Sequence, residues 1–160
     1  MGTQSIKSAF LWIEKLLRKH KIPFQVTGGL AASVYGSERG YRDIDILIRP
    51  NVLPKVLPLI NKYIVFGPGR YKDDNFNSYM IELKIRGVKI DIGIDCKIKN
   101  NRARKWYQTP GPTRFSYREI FGKRVKVEAK DKLIKIKRIL GREKDLEDVA
   151  AMMRKIKRAA

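Results

Sequence analysis

The stretch RDIDILIR, Arg42 to Arg49, narrows most sharply what this chain can fold into. Ile44, Ile46 and Ile48 alternate with Asp43, Asp45 and Leu47, which is the period of a strand with one face against a core. The two aspartates then share one face, about 7 Å apart along the strand. Carboxylates placed so repel each other and lose hydration, unless something cationic stands beside them.

The rest of the chain alternates helical and strand periods, which predicts an α/β (α+β) fold. Phe10, Ile13 and Leu17 recur at helical spacing, so Thr3 to His20 reads as an amphipathic helix. FQVT is a short strand running into Gly28-Gly29, and LAASVY opens a short helix that stops at Gly36. A helix runs from Pro50 to about Tyr63, with Pro58 as a kink. SYMIELKIRGVKIDIGIDCKI forms two strands joined by a tight turn at Arg86-Gly87, and Gly67 to Arg70 forms another turn. Lys97 to Tyr117, with Pro110, Gly111 and Pro112, reads as a long loop. RVKVEA is a last strand, followed by helices over Asp131 to Leu140 and Glu143 to Lys157, broken at Gly141. Residues 1–160 make one domain, with an α/β core over 1–128 and a C-terminal helical pair over 129–160.

Composition limits the function classes. The 160 residues carry a formal net charge of +20, far more than solubility needs, which favours a polyanionic partner over an uncharged one. The competing reading is a lysine-rich thermophile surface. Cys96 is the single cysteine, so neither an internal disulfide nor a zinc cluster is available. No stretch has the length of a membrane span, and the charges at Lys7, Glu14, Lys15 and Arg18 exclude a signal peptide over the first helix. A cytoplasmic protein without a membrane is expected.

Asp91, on the polar face of VKIDIGI, can converge on Asp43 and Asp45. Three carboxylates from neighbouring strands offer a hard, oxygen-only site suited to Mg²⁺ or Mn²⁺. Asp95 shares the face of Asp91, but Asp91 lies deeper, between Ile90 and Ile92, and Gly93 beside it leaves room for a substrate. Gly28-Gly29, between a strand and a helix start, presents backbone N–H groups with no side chain in the way, a seat for phosphate. A phosphate seat beside a carboxylate metal cluster points to phosphoryl or nucleotidyl transfer. Arg39 can reach triphosphate oxygens as a bidentate donor.

TGGLAASVYGSERGYRDIDILI, followed by VKIDIGI, resembles the signature of the nucleotidyltransferase superfamily related to DNA polymerase β. The resemblance implies a mixed β-sheet flanked by helices, metal held by Asp43, Asp45 and Asp91, and a nucleoside triphosphate such as ATP on Gly28, Gly29 and Arg39. DKLIKIKRILGREKDLEDVAAM resembles the C-terminal region of small AbiEii-type members, and suggests Lys137 as a phosphate-facing lysine and Asp145 as a helix-borne aspartate. That likeness also implies a toxin–antitoxin setting with an antitoxin-like protein partner. Tyr41 stands where members often carry Thr or Ser, and Gly29 where many carry Ser; both departures bear on substrate more than on fold.

NNRARKWYQ interleaves Arg102, Arg104 and Lys105 with Trp106 and Tyr107, a pattern suited to phosphate contact and base stacking. With the net charge it favours RNA, a tRNA end among the candidates, as the hydroxyl acceptor. A non-catalytic nucleic-acid-binding module and an antibiotic nucleotidyltransferase are the alternatives.

Overall fold

Isoleucines at every second position build the middle of the sheet. In the computed structural model, which describes residues 2–100 and 102–159 and the side chains of all of these except 3 and 155–159, β2 (Ile44–Leu47) runs parallel to β5 (Val88–Asn100). Ile44 lies opposite Ile90 and Ile46 opposite Ile92, all fully buried. The apolar side of both strands therefore faces the core, and the aspartates are left together on the other side.

The remaining strands extend this pair in both directions. On one side lie β4 (Phe76–Ile85) and, at the edge, β3 (Ile64–Lys72), both antiparallel. On the other lie β1 (Gln25–Thr27), β8 (Lys123–Glu128) and, at the second edge, β7 (Phe115–Ile120). Among the described residues seven strands follow the order β3-β4-β5-β2-β1-β8-β7, and an eighth, β6 (Lys105–Gln108), pairs off this path with the outer half of β5. The Arg86-Gly87 turn forms as expected, with φ of 51° and 81° suited to a tight hairpin.

Helix α1 (Thr3–Lys19) buries Ile6, Phe10, Ile13 and Leu17 at the spacing that predicted it. Helix α2 (Gly28–Val34) follows β1 directly and buries Leu30, Ala31 and Ala32. The Pro50 segment is α3 (Leu53–Ile60) between two 3₁₀ turns, Pro50–Val52 and Asn61–Tyr63. The C-terminal pair is α4 (Lys130–Leu140) and α5 (Glu143–Ala159), broken at Gly141 in the left-handed conformation (φ 63°), which glycine adopts without penalty. Among the described residues no helix is long and apolar enough to cross a membrane.

Two expectations fail. Lys97 to Tyr117 is not one long loop: β5 continues to Asn100, β6 returns along it, and Phe115 begins β7, leaving 109–114 irregular. Along β5 the alternation carries on to buried Ile98, but Lys105–Gln108 of β6 is only half-buried at Trp106 and Tyr107, too short and too polar a run to mark a strand. Gly67 to Arg70 is not a turn but part of β3, where register shifts on either side of Phe66 accommodate it. An edge strand tolerates Pro68 because its outer N–H positions need no partner.

Ile92 is fully buried on the central strand directly behind the aspartates. Ile92→Ala is predicted to cost about 2–5 kcal/mol of unfolding free energy, measured by urea denaturation; a loss below about 1 kcal/mol would contradict this placement of the core.

Candidate active site

Parallel pairing sets Asp45 directly opposite Asp91 on adjacent strands, which places their backbones about 4.8 Å apart. Asp43 precedes β2 on the same side. The cation that the sequence demanded is Lys89: its ammonium lies 3.4 Å from Asp91 Oδ2, 3.7 Å from Asp43 Oδ2 and 3.5 Å from Glu82 Oε1. Glu82 stands opposite Asp91 on β4 and was not singled out from the sequence. Counting back from the Arg86-Gly87 turn gives that register, so the signal was present. One lysine does not neutralise the group. Burial, then the Asp91 and Asp43 charges, push Asp45 up to about 7. Burial also raises Asp91 to about 6, with Glu82 adding to it and Lys89 opposing it.

Gly28 makes the close approach possible. It sits at φ 66°, and a Cβ there would collide with Asp45 Oδ2. At Gly29 a Cβ would lie 3.1 Å from Tyr41 Cβ. Gly28 therefore abuts the Asp45 carboxylate, and Gly29 abuts Tyr41. Gly93 behaves otherwise than expected: a Cβ there would meet Leu47 Cδ2 at 2.9 Å and Cys96 Sγ at 3.0 Å, so the protein's own side chains fill the space assigned to a substrate.

Arg39 and Lys137 meet at one buried carboxylate. Asp148 receives Arg39 Nε at 3.2 Å and Nη2 at 3.1 Å, Ser37 Oγ at 2.6 Å, and Lys137 Nζ at 2.9 Å. Burial alone would raise Asp148, but the hydrogen bonds from Arg39, Ser37 and Lys137, with the Lys137 charge, outweigh it and hold it down to about 2. Asp145, also fully buried, takes Lys137 at 3.6 Å and a fork from Arg142 at 2.6 and 3.0 Å. Asp148 lies one turn from Lys144 on α5, yet the structure turns it inward, to two cations distant in sequence. Lys137 is near enough that its charge counters the rise at Asp45, which ties this network to the aspartates. Beside it, Glu128 accepts from Thr27 Oγ1 and pairs with Lys132 at 3.2 Å, again fully inside.

No family model matches the sequence, and no curated protein matches it significantly. Solved structures do. A Thermotoga maritima protein assigned as a nucleotidyltransferase superposes with a TM-score of 0.70 at 19% identity over 96% of both chains. The lincosamide antibiotic adenylyltransferase LnuA, solved with lincomycin, gives 0.57 at 16% identity, over 96% of this chain and 97% of its own. ANT(2″)-Ia, solved with adenylyl-2″-tobramycin, gives 0.61 at 13% identity, over 97% and 90%. The chain has the nucleotidyltransferase fold.

Within this nucleotidyltransferase fold the residues present suit a hard divalent ion. Among the described residues no three acidic, His or Cys side chains stand as a ready ligand set. Their chemistry is nonetheless that of one: Asp91 Oδ1 is buried with no hydrogen-bond partner, the donors are all oxygen, and their charges exceed what Lys89 offsets. Asp95 lies apart, exposed, accepting from Gln108 Nε2 at 2.7 Å. The basic candidates lie on the β5–β6 hairpin. Arg102, Arg104 and Lys105 are exposed in and after its turn, and Asn101 is outside the described residues. Trp106 is half-buried, with Lys72 and Lys99 ammoniums 5.8 and 5.6 Å from its ring.

The raised Asp45 and Asp91 values fix a pH dependence for the metal-free protein. The folded state holds their protons more tightly than the unfolded chain, so stability is lost as pH rises from about 4 through about 7. In chelator, the melting temperature is predicted to fall across that window, and Asp45→Asn to flatten the fall. A rise in melting temperature with pH, or an unchanged profile in the variant, would contradict the carboxylate repulsion.

Proposed function

We propose that this chain is a divalent-metal-dependent nucleotidyltransferase that moves a nucleoside monophosphate, with ATP the first candidate donor, from a triphosphate to a hydroxyl of RNA. The observation that carries the reading is the Asp45–Asp91 pairing beside Gly28, with an unpartnered oxygen on Asp91. Asp43, Asp45 and Asp91 would hold Mg²⁺ or Mn²⁺, which supplies charge neutralisation at the triphosphate and polarises the phosphoryl oxygens. The backbone of Gly28 and Gly29 receives phosphate oxygens through its N–H groups. Arg39 spends its Nε and Nη2 on Asp148, which orients Nη1 as the donor left for phosphate. Lys137 has three N–H donors and two carboxylate partners, so one donor remains for the same task.

The Asp91 carboxylate takes the proton of the acceptor hydroxyl. The freed oxygen bonds to the α-phosphorus as the bond between that phosphorus and the α–β bridging oxygen breaks, and pyrophosphate leaves with the electron pair. The exposed Arg102, Arg104 and Lys105, with Trp106 and the net charge of +20, fit an RNA acceptor, a tRNA end included. An aminoglycoside acceptor, as adenylated tobramycin on ANT(2″)-Ia suggests, is a polycation and is disfavoured by this surface. A pure nucleic-acid binder would gain nothing from clustered carboxylates in its groove. A cytoplasmic setting and an antitoxin-like protein partner belong to the same reading through the C-terminal likeness.

Incubation with each triphosphate radiolabelled at the α-phosphate, Mg²⁺ and total RNA is predicted to place label in RNA. Asp91→Asn is expected to lower transfer by about 10²-fold or more with triphosphate still bound, and Asp95→Asn to leave it near wild type. Label on protein, or none anywhere, would overturn the acceptor assignment; the reverse ranking of the two variants would overturn the role of Asp91.

A further inference from the structure

The same face of the sheet that carries the aspartates continues outward to β7. Asp45 lies opposite Thr27, Thr27 donates to Glu128, and Glu128 lies opposite Phe115. These residues form one row across β2, β1, β8 and β7, so Phe115 stands about 14 Å from Asp45, three strand spacings. Directly opposed residues share a face, so Phe115 and Tyr117 project beside Lys126 and Arg124 on that side. The other side of the hairpin carries Ile120, Val125 and Val127 into the core.

The outward side is unusually aromatic for a water-facing edge. Phe115 is 38% exposed and Tyr117 52%, and their rings meet edge to face at 5.3 Å. Lys126 lies 4.7 Å over the Phe115 ring and Arg124 4.7 Å over the Tyr117 ring. Glu119, opposite Arg124, is the acid that tempers this patch. A cleft of about 90 Å³ adjoins it, lined by Phe24, Gln25, Arg49, Thr113, Phe115 and Lys126. Gln25, 2% exposed, donates its Nε2 to the Thr113 carbonyl at 3.3 Å, but its Oε1 is buried with no partner.

We propose that the β7–β8 face and this cleft are a second binding surface for unpaired RNA. Phe115 and Tyr117 stack bases, and Arg124, Lys126 and Arg49 meet phosphates. The inference rests on the RNA-acceptor reading and extends it: RNA is held at two places, on the β5–β6 hairpin and on the β7–β8 face. Cations already poised over aromatic rings are the arrangement that binds single strands without demanding a sequence, because every base has a π-face and every nucleotide a phosphate.

Fluorescence anisotropy with a labelled oligouridylate and a labelled mixed-sequence RNA, each of about 12 nucleotides, tests this. The double variant Phe115→Ala/Tyr117→Ala is expected to bind about 5- to 100-fold more weakly, with the salt slope unchanged since no charge is removed. Phe115→Tyr/Tyr117→Phe, which keeps both rings, is expected to bind as wild type does. Lys126→Gln/Arg124→Gln is expected to flatten the slope by about 0.7 for each phosphate no longer neutralised. Melting curves and triphosphate binding of these exposed-site variants should match wild type. Affinity of the alanine pair within twofold of wild type, while Trp106→Ala weakens binding, would overturn the inference and leave the RNA reading standing. No RNA binding by wild type even at low salt would remove both. Equally tight binding of polyglutamate, insensitive to the aromatic pair, would also overturn it and mark the face as a plain surface for acidic protein.

Discussion

The pairing of Asp45 with Asp91 across two parallel strands governs most of what surrounds it. The isoleucines that alternate with them are fully buried, so the register is fixed by the core and the carboxylates cannot slip apart. Repulsion is thus imposed by hydrophobic burial on the opposite face. The neighbourhood answers with positive charge: Lys89 in direct contact, and Lys137 felt from α4. Gly28 is a consequence of the same crowding, since any side chain there would enter the Asp45 carboxylate.

Asp148 plays a complementary part on the helical side. It is a buried anion whose partners come from the segment after α2 and from α4, and it holds Arg39 and Lys137 in fixed orientation. A buried carboxylate with this many donors remains ionised, and removing one partner of such a group typically costs several kcal/mol. The C-terminal helices are therefore bound to the aspartate site by charge as well as by packing. Glu128 with Thr27 and Lys132 repeats the device one strand further out.

Much of this could be read from residue patterns. The helical spacing of Phe10, Ile13 and Leu17, the alternation around Asp43 to Ile48, and the Arg86-Gly87 turn each specify their element, because each has one face in the core. The meeting of Asp45 with Asp91 was expected from their shared position on polar strand faces. Legibility failed where burial is weak or contacts are long-range. The short β6 has no residue fully in the core and shows no alternation, and β3 hides a strand behind Gly67 and Pro68 at an edge. Asp148 does not stand out on its charged helix, since nothing local reports that Arg39, 109 positions away, folds back on it. Phe115 and Tyr117 were hidden inside a supposed loop, and only the pairing of β7 with β8 shows that they share a face.

Metal binding by the aspartates together with a nucleotide is the central claim to test. Electron paramagnetic resonance of Mn²⁺ titrated into the protein, with and without a non-hydrolysable triphosphate, measures this directly. Wild-type protein is expected to deplete the free-Mn²⁺ signal, more strongly when triphosphate is present, and Asp45→Asn to abolish this cooperation. Equal Mn²⁺ uptake by wild type and Asp45→Asn, or none by wild type with triphosphate, would contradict it.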